Sequence, residues 1–281
     1  MDKNTINQFI TSALQEDIGE GDHTSLATIS ENAMGKAKLL IKDEGTIAGV
    51  ELALLIFDAV DQNLKVEVLI QDGEAVKYGD VALTVTGNAR AILAAERLVL
   101  NTMQRMSGIA TTTSRIVQQL STTKTKVLDT RKTTPNLRFL EKWAVKIGGG
   151  VNHRFGLYDM ILIKDNHVDY AGGIVNAIVA AQNYLQEKQK NIQIEIEVRN
   201  LPELQEVMNI GGVDRILLDN FDFETLKKAV NLIDGQFITE ASGGITEQNV
   251  LDYANCGVDF ISMGALTHSV KSLDMSLKAI I

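Results

Sequence analysis

The sequence is poor in the residues that break or staple a chain. Two prolines, Pro135 and Pro202, stand in 281 residues, which excludes a proline-rich linker. A single cysteine, Cys256, excludes an intrachain disulfide and fits a reducing compartment, so a cytoplasmic location is expected. No apolar run approaches the roughly 20 residues that a membrane span needs. The first residues, MDKNTINQFITSAL, lack the apolar core of a secretory signal. Positive charge is also short. The chain has 27 Lys+Arg against 36 Asp+Glu, a net charge of −9, which argues against nucleic acid as a partner. What remains is ordinary for a water-soluble globular protein: 45% apolar and 22% charged residues, in a chain long enough for one large domain or two modest ones.

Against that acidic background, residues 128–168 hold seven Lys/Arg and four Asp/Glu. The local charge is therefore +3, and that of the rest of the chain −12. A cationic island in an acidic protein points to a small anionic ligand. Part of the island has a plainer reading. Arg138, Lys142 and Lys146 recur every four residues with Glu141 among them, the pattern of a solvated helix face.

The C-terminal half alternates. Short β-rich runs at 127–130, 160–164, 192–198, 215–219, 237–241 and 260–263 are separated by helical patterns such as GIVNAIVAAQNYLQEKQ, LPELQEVMNIG, FETLKKAVNLI and TEQNVLDYANCG. Such alternation predicts parallel strands joined by crossover helices. The run IQIEIEV puts Glu195 and Glu197 on one face, toward the centre or the mouth if the sheet closes into a barrel. Every predicted strand ends in polar, charged or glycine residues, and in α/β barrels that edge carries the active site. The N-terminal half reads as α+β: strands at 35–41 and 66–70, a helix at 49–60, and a further strand in VKYGDVALTVTGNA. Then come the long helix ARAILAAERLVLNTMQRM and a second one from TTTSRIVQQL. The domain boundary is expected near Ser107-Gly108. Arg97, alone among Ala, Leu and Val on the long helix, is expected to be buried in an ion pair or a subunit contact.

Five motifs carry chemistry. In LDTRKTTP, Arg131 offers a planar fork for a carboxylate or phosphate and Lys132 a point charge. A turn made by the threonines and Pro135 would let both reach one ligand. A structural salt-bridged loop is the alternative. In GGGVNHR, three glycines precede Asn152, His153 and Arg154, and His153 is a candidate general acid or hydrogen-bond donor. Asp129 and Asp159 are expected to cap or orient. LIKDNH ends a strand in Lys164, which binds an anion, forms a Schiff base, or snorkels at the rim. Glu197 and Asp219 end successive strands and suit Mg²⁺ or ribose hydroxyls, unless they cap the following helices. SGGIT and MGALTHS place Ser242, Gly243, Gly244, Gly264 and Ala265 at the last two strand ends, where barrels commonly cradle phosphate.

These segments resemble the quinolinate phosphoribosyltransferases. The resemblance rests on EDIGEGDHTS, AERLVLNTMQRMSGIATTT, LDTRKTTPNLRFLEKWAVKIGGGVNHRFGLYDMILIKDNH, EIEV, LLDNF, EASGGI and GALTHS, in the family's order over nearly the whole chain. It implies an α/β protein: an N-terminal α+β sandwich-like domain over 1–107, then an incomplete, about seven-stranded α/β barrel over 108–268, with the tail from about 269 to 281 packing on the first domain. It implies transfer from phosphoribosyl pyrophosphate to quinolinate with Mg²⁺, giving nicotinate mononucleotide, pyrophosphate and CO₂. It implies a homodimer in which Arg97 reaches the partner's site, with no nucleic acid or membrane partner. Quinolinate is then expected to meet Arg131, Lys132, His153, Arg154 and Lys164. Glu197 and Asp219 serve ribose and metal, and Ser242, Gly243, Gly244, Gly264 and Ala265 face phosphate. Lys132, Lys164, Glu197 and Asp219 form the expected catalytic set. Two positions depart from the family pattern. Asn136 stands where glycine is usual, in a turn that asparagine can still make, and His23 replaces an aliphatic residue with no evident catalytic role. The competing readings are a Schiff-base aldolase using Lys164 or Lys132 and a phosphosugar-binding accessory protein of the same architecture, such as a related family associated with molybdenum transport.

Overall fold

The computed structural model describes residues 3–280. The chain divides into two compact units, residues 1–112 with 270–281, and 113–269.

The first unit opens with helices α1 (Lys3–Ile18) and α2 (His23–Thr28) and continues through β1 (Met34–Ile41), β2 (Gly45–Thr46), α3 (Val50–Val60), β3 (Lys65–Val68), β4 (Ala75–Val76) and β5 (Val81–Asn88) into α4 (Ala89–Gln119). The tail returns as a strand at Met275–Ala279, antiparallel to β1, with Ile41 opposite Met275. β5 flanks β1 on its other side and β3 lies beyond. The alternation of β1 turns Leu39 and Ile41 inward, where Leu83, Leu52, Ile56, Phe57, Met103 and Met106 complete a dry core. The amino-terminal helix and the returning strand are elements that pattern reading did not assign.

Sequence predicts two helices where α4 is one, unbroken at Gly108. That glycine is a packing residue. A Cβ there would lie 2.2 Å from the Lys271 carbonyl oxygen, so the helix accepts the propensity loss of about 1 kcal/mol in return for a close approach of the tail. Arg97, on the same helix, is exposed within the chain and so is not buried in an ion pair of its own chain, because its position faces away from the Ala95, Val99 and Met103 stripe.

The second unit alternates strand and helix: β6 (Lys126–Leu128), α5 (Arg138–Ile147), β7 (Ile161–Ile163), α6 (Asp165–Ala171), α7 (Ile174–Glu187), β8 (Ile194–Val198), α8 (Leu201–Ile210), β9 (Arg215–Asp219), α9 (Phe223–Ile233), β10 (Ile238–Ser242), α10 (Val250–Ala254), β11 (Phe260–Ser262) and α11 (Ala265–His268); the returning strand is then β12. All six predicted strands are present. They pair in parallel in the order β6-β11-β10-β9-β8-β7, and Val151 adds a single-residue parallel bridge to Leu128 outside β6. In a flat sheet Val151 would lie five strand spacings, roughly 24 Å, from β8. Yet His153, two residues on, sits 3.1 Å from Glu195 of β8. The sheet therefore curls back on itself as an incomplete barrel, with six strands and a one-residue seventh.

Local chemistry fixes the helix starts. Asn200 caps α8 by accepting from the Glu203 N–H at 2.9 Å, and Asp222 caps α9 by accepting from the Thr225 N–H at 2.9 Å. Glu197 and Asp219 are therefore not the caps of the helices that follow them.

Gly108→Ala is predicted to lower stability by about 2 kcal/mol despite alanine's better helix propensity, because overpacking against Lys271 outweighs it. Urea unfolding measures this, and a stabilised variant would contradict the packing role.

Candidate active site

A cavity of about 360 Å³ opens at the C-terminal strand edge, lined by Thr130, Arg131, Lys132, His153, Arg154, Leu162, Lys164, Leu217, Glu240, Ser242 and Ser262. Six of the sequence-predicted residues meet there: Arg131, Lys132, His153, Arg154, Lys164 and Ser242.

The first wall is built on a buried carboxylate. Asp129, at 0% exposure, follows β6. One of its oxygens accepts from Lys142 Nζ and from the His153 N–H at 2.8 Å. The other accepts from Asn152 Nδ2 at 2.6 Å. Lys142 also donates to the His153 carbonyl at 3.0 Å. Burial pushes the Asp129 carboxyl up and the Lys142 amine down. Donors on both carboxylate oxygens nonetheless leave the ion pair as the state that satisfies them. Asp129 orients, as expected. Lys142 does not face solvent as its spacing predicts: it is 3% exposed, and Glu141 beside it is fully buried and accepts from the Thr134 N–H at 3.2 Å. Lys146 is exposed. Charge spacing marks a helix face but not what the face meets.

The loop that carries Arg131 and Lys132 is held at several points. The Lys132 N–H bonds Thr130 Oγ1 at 3.0 Å, Thr267 Oγ1 donates to the Lys132 carbonyl at 2.8 Å, and Arg138 Nε donates to Thr133 Oγ1 at 2.9 Å. The turn survives without its glycine because Asn136 adopts φ 64°, the left-handed region that asparagine tolerates. Asp159 accepts from the Phe155 and Gly156 N–H groups at 2.6 and 2.9 Å and closes the loop after Arg154. Burial first, and then the charge of Arg131, lower the basicity of Arg154. The pocket thus brings together cations that repel one another.

His153 is not one of those cations. Its Nδ1 accepts from the Arg154 N–H at 2.7 Å, so the neutral ring carries its proton on Nε2. Burial lowers its pKa. Nε2 points into the barrel, 3.1 Å from Glu195 and 3.5 Å from Glu240. His153 thus lines the cavity while both of its ring nitrogens have protein atoms nearby. Below it lies a layer that pattern reading noticed only in Glu195: Glu240, fully buried, takes Arg215 NH1 at 2.8 Å, and Arg215 stacks over Phe260 at 4.6 Å. The two-residue alternation of strand β10, with Glu240 on the same face as Ser242, is the signal that would have found it.

On the opposite wall Lys164 Nζ pairs with Glu197 at 2.8 Å, and its own N–H is held by His167 Nδ1 at 2.9 Å. That pairing engages the Nζ that a Schiff base would need free. Asp219 ends the next strand. Burial first, and the neighbouring Glu197 charge second, raise its carboxyl above the ordinary range. A carboxylate raised in part by a neighbouring carboxylate fits a site for a divalent cation. The tightest cluster of metal-type ligands among the described residues is instead His153, Glu195 and Glu240, one layer deeper. Gly243 (φ 97°) passes so close to Asn220 that a Cβ would lie 2.2 Å from Oδ1. Gly264 passes less closely by Lys132, where a Cβ would lie 2.9 Å from Cδ. Ser242 lines the cavity, whereas Glu197, Asp219, Gly243, Gly244, Gly264 and Ala265 are not among its lining residues.

Comparisons with known proteins decide the family. Residues 22–107 match the family model "Quinolinate phosphoribosyl transferase, N-terminal domain", and residues 109–278 match its C-terminal counterpart. The chain belongs to the quinolinate phosphoribosyltransferase family. It is an enzyme of that family, in agreement with the resemblance read from the motifs. The chloroplastic nicotinate-nucleotide pyrophosphorylase [carboxylating] of Arabidopsis thaliana is 49% identical over 97% of this chain and 82% of its own length. The probable nicotinate-nucleotide pyrophosphorylase of Bacillus subtilis is 42% identical over 98% of this chain and 92% of its own. The solved nicotinate-nucleotide pyrophosphorylase of Francisella tularensis superposes with a TM-score of 0.93 at 37% identity, covering 100% of this chain and 98% of that one. No helix among the described residues is long and apolar enough to cross a membrane.

Burial, aided by Glu195, pushes the Glu240 carboxyl from its ordinary 4.5 up to about 7. The folded chain therefore keeps a proton that the unfolded chain releases, and stability is lost as pH rises from 4.5 through 7. Glu240→Gln has no such proton to lose. Its stability relative to the parent protein is predicted to rise by roughly 3 kcal/mol between pH 5 and pH 8, read from urea unfolding at both. A constant difference would contradict the assignment.

Proposed function

We propose that the protein transfers the phosphoribosyl group of phosphoribosyl pyrophosphate to quinolinate and releases pyrophosphate and CO₂. The observation that carries this reading is the set of Arg131, Lys132 and Arg154 around one 360 Å³ cavity, facing the Lys164, Glu197 and Asp219 wall. Quinolinate is a flat dianion. Arg131 and Arg154 offer planar forks that read carboxylates in two-point fashion, and Lys132 adds a point charge. Nicotinate, with one carboxylate, leaves part of that set unpaired in a partly desolvated pocket, which is how the site discriminates.

The ring nitrogen attacks C1 of the ribose, the C1–O bond breaks, and pyrophosphate departs with its electron pair. The carbon gains oxocarbenium character, which the adjacent Glu197 and Asp219 carboxylates stabilise electrostatically. The 2-carboxylate then leaves as CO₂. Its electron pair stays at C2 beside the quaternised nitrogen and takes up a proton, giving nicotinate mononucleotide. Glu197 and Asp219 are the residues that would hold Mg²⁺, directly or through water. Bound there, the ion neutralises the charge of the departing pyrophosphate. Lys164, tied to Glu197, joins the two walls. Ser242, Gly243, Gly244, Gly264 and Ala265 are assigned to phosphate, where glycine leaves room for close backbone approach. The exposure of Arg97 supports a homodimer in which that guanidinium serves the partner's site. A single, buried, free cysteine supports action in the cytoplasm.

Purified protein with phosphoribosyl pyrophosphate, Mg²⁺ and quinolinate is predicted to release pyrophosphate and CO₂ in equal amounts, and neither with nicotinate. Arg131→Ala is predicted to lower kcat/KM roughly a hundredfold, as loss of a charged two-point contact does. A folded protein that binds phosphoribosyl pyrophosphate but turns over neither acid would instead support the accessory-protein reading.

A further inference from the structure

At the floor of the anion pocket, which Glu240 helps to line, lies a layer that the proposed reaction does not use: Glu195, Glu240 and Arg215. Glu195 and Glu240 are fully buried, and the Arg215 side chain is 11% exposed. Both Glu195 oxygens and one Glu240 oxygen have no aligned hydrogen-bond donor, although each carboxyl lies within 3.5 Å of His153 Nε2. Carboxyl groups are not kept inside a barrel for stability alone. An apolar replacement of similar volume is commonly neutral or better.

The hydrogen-bond directions say what the layer does. The Arg154 N–H is only a donor, so the Nδ1 it meets at 2.7 Å is an acceptor, and the proton of the neutral ring is on Nε2. The nearest acceptors to that Nε2–H are the two carboxyls below it, 3.1 and 3.5 Å away, although neither Glu195 oxygen is aligned to take it. If these acceptors are removed, nothing on the lower side favours this tautomer. The other tautomer, and the doubly protonated ring, would set an Nδ1–H against the Arg154 N–H. Arg215, bonded to Glu240 at 2.8 Å and stacked on Phe260, fixes the acceptor from beneath. Lys142, Arg154, Lys164 and Ser262 are the remaining polar groups felt from the adjoining elements.

We propose that Glu240 and Glu195, anchored by Arg215, are positioning residues. They hold His153 as its Nε2–H tautomer, and His153 in turn holds the Arg154 backbone so that its guanidinium stays at the anion pocket. His153 then acts on substrate binding through Arg154 and not by its own charge. A metal ion in the same cluster is the competing use of these ligands. Arg215 disfavours it, because its guanidinium already occupies the Glu240 oxygen that faces His153. The mechanistic part of this inference rests on the function proposed above; the tautomer does not.

The experiment uses the full chain labelled with ¹⁵N-histidine, whose His153 signals are identified by their loss in His153→Gln. Long-range ¹H–¹⁵N spectra at neutral pH are expected to show the neutral Nε2–H pattern, unchanged when Zn²⁺ is added. Glu240→Leu is expected to lose or mix that pattern and to raise KM for quinolinate about tenfold with kcat little changed, the effect of one misplaced buried hydrogen bond. If Glu240→Leu does not fold because it strands the Arg215 charge, Arg215→Leu/Glu240→Leu removes both charges and carries the same readouts. An Nδ1–H or imidazolium pattern in the parent protein, a Zn²⁺-induced shift of His153, or an unchanged pattern and KM in the folded leucine variant would overturn the proposal. Loss of the pattern in a protein that turns over no substrate would overturn the proposed reaction and leave the tautomer assignment standing.

Discussion

The site depends on the burial of one carboxylate. Asp129 is withdrawn from water and draws three donors from two separate pieces of chain: Lys142 on α5, and Asn152 and the His153 N–H on the loop after the glycines. An ionised carboxylate tolerates such burial only when its lone pairs are filled and a counter-ion is close. That requirement clamps the end of β6, the helix and the loop into one arrangement. The clamp matters because what it supports is self-repelling. Arg131, Lys132 and Arg154 crowd one cavity, and like charges held together in the absence of a ligand are unfavourable. The buried anion behind the wall lets a cationic pocket exist before its substrate arrives.

The two-residue period of the strands turns this wall into two layers. Glu195 and Glu197 share a face of β8, and Glu240 and Ser242 share a face of β10. In each pair the earlier residue lies deep and the later one at the mouth. Parallel register then aligns them, with Ser242 opposite Asp219 and Glu240 opposite Leu217. The lower layer is dry and locks His153. The upper layer is wet enough to exchange ligands, as the 46% exposure of Lys164 indicates. The chemistry proposed for the upper layer needs fixed charges at fixed places, and the lower layer is where their positions are set.

Much of this was legible beforehand. The strands of the second unit follow from β-rich runs closed by polar residues, and their parallel pairing from the helical patterns between them. The cationic residues at strand ends were identifiable because a cation after an apolar run in an acidic chain has few other uses. Partners were less legible than positions. Lys142 has the spacing of a solvated face, and only the fold shows that Asp129 waits opposite it. Arg97 on an apolar helix reads as an ion pair or a subunit contact, and periodicity does not say which, because it does not show which side of the helix lacks a neighbour in the same chain. The break expected at Ser107-Gly108 is a tight contact with a segment more than 150 residues later in the chain, and no local signal announces that. Directions of hydrogen bonds, such as the one that His153 Nδ1 accepts from the Arg154 N–H, are absent from sequence altogether.

The most direct test of the clamp is the equilibrium binding of quinolinate to Asp129→Asn by calorimetry. Asparagine keeps the shape, but it sets an amide N–H₂ against that of Asn152 and leaves Lys142 without its counter-ion. A variant that still unfolds cooperatively but binds quinolinate at least about tenfold more weakly is the predicted result. Unchanged affinity in the folded variant would contradict the claim that the buried carboxylate places the cations.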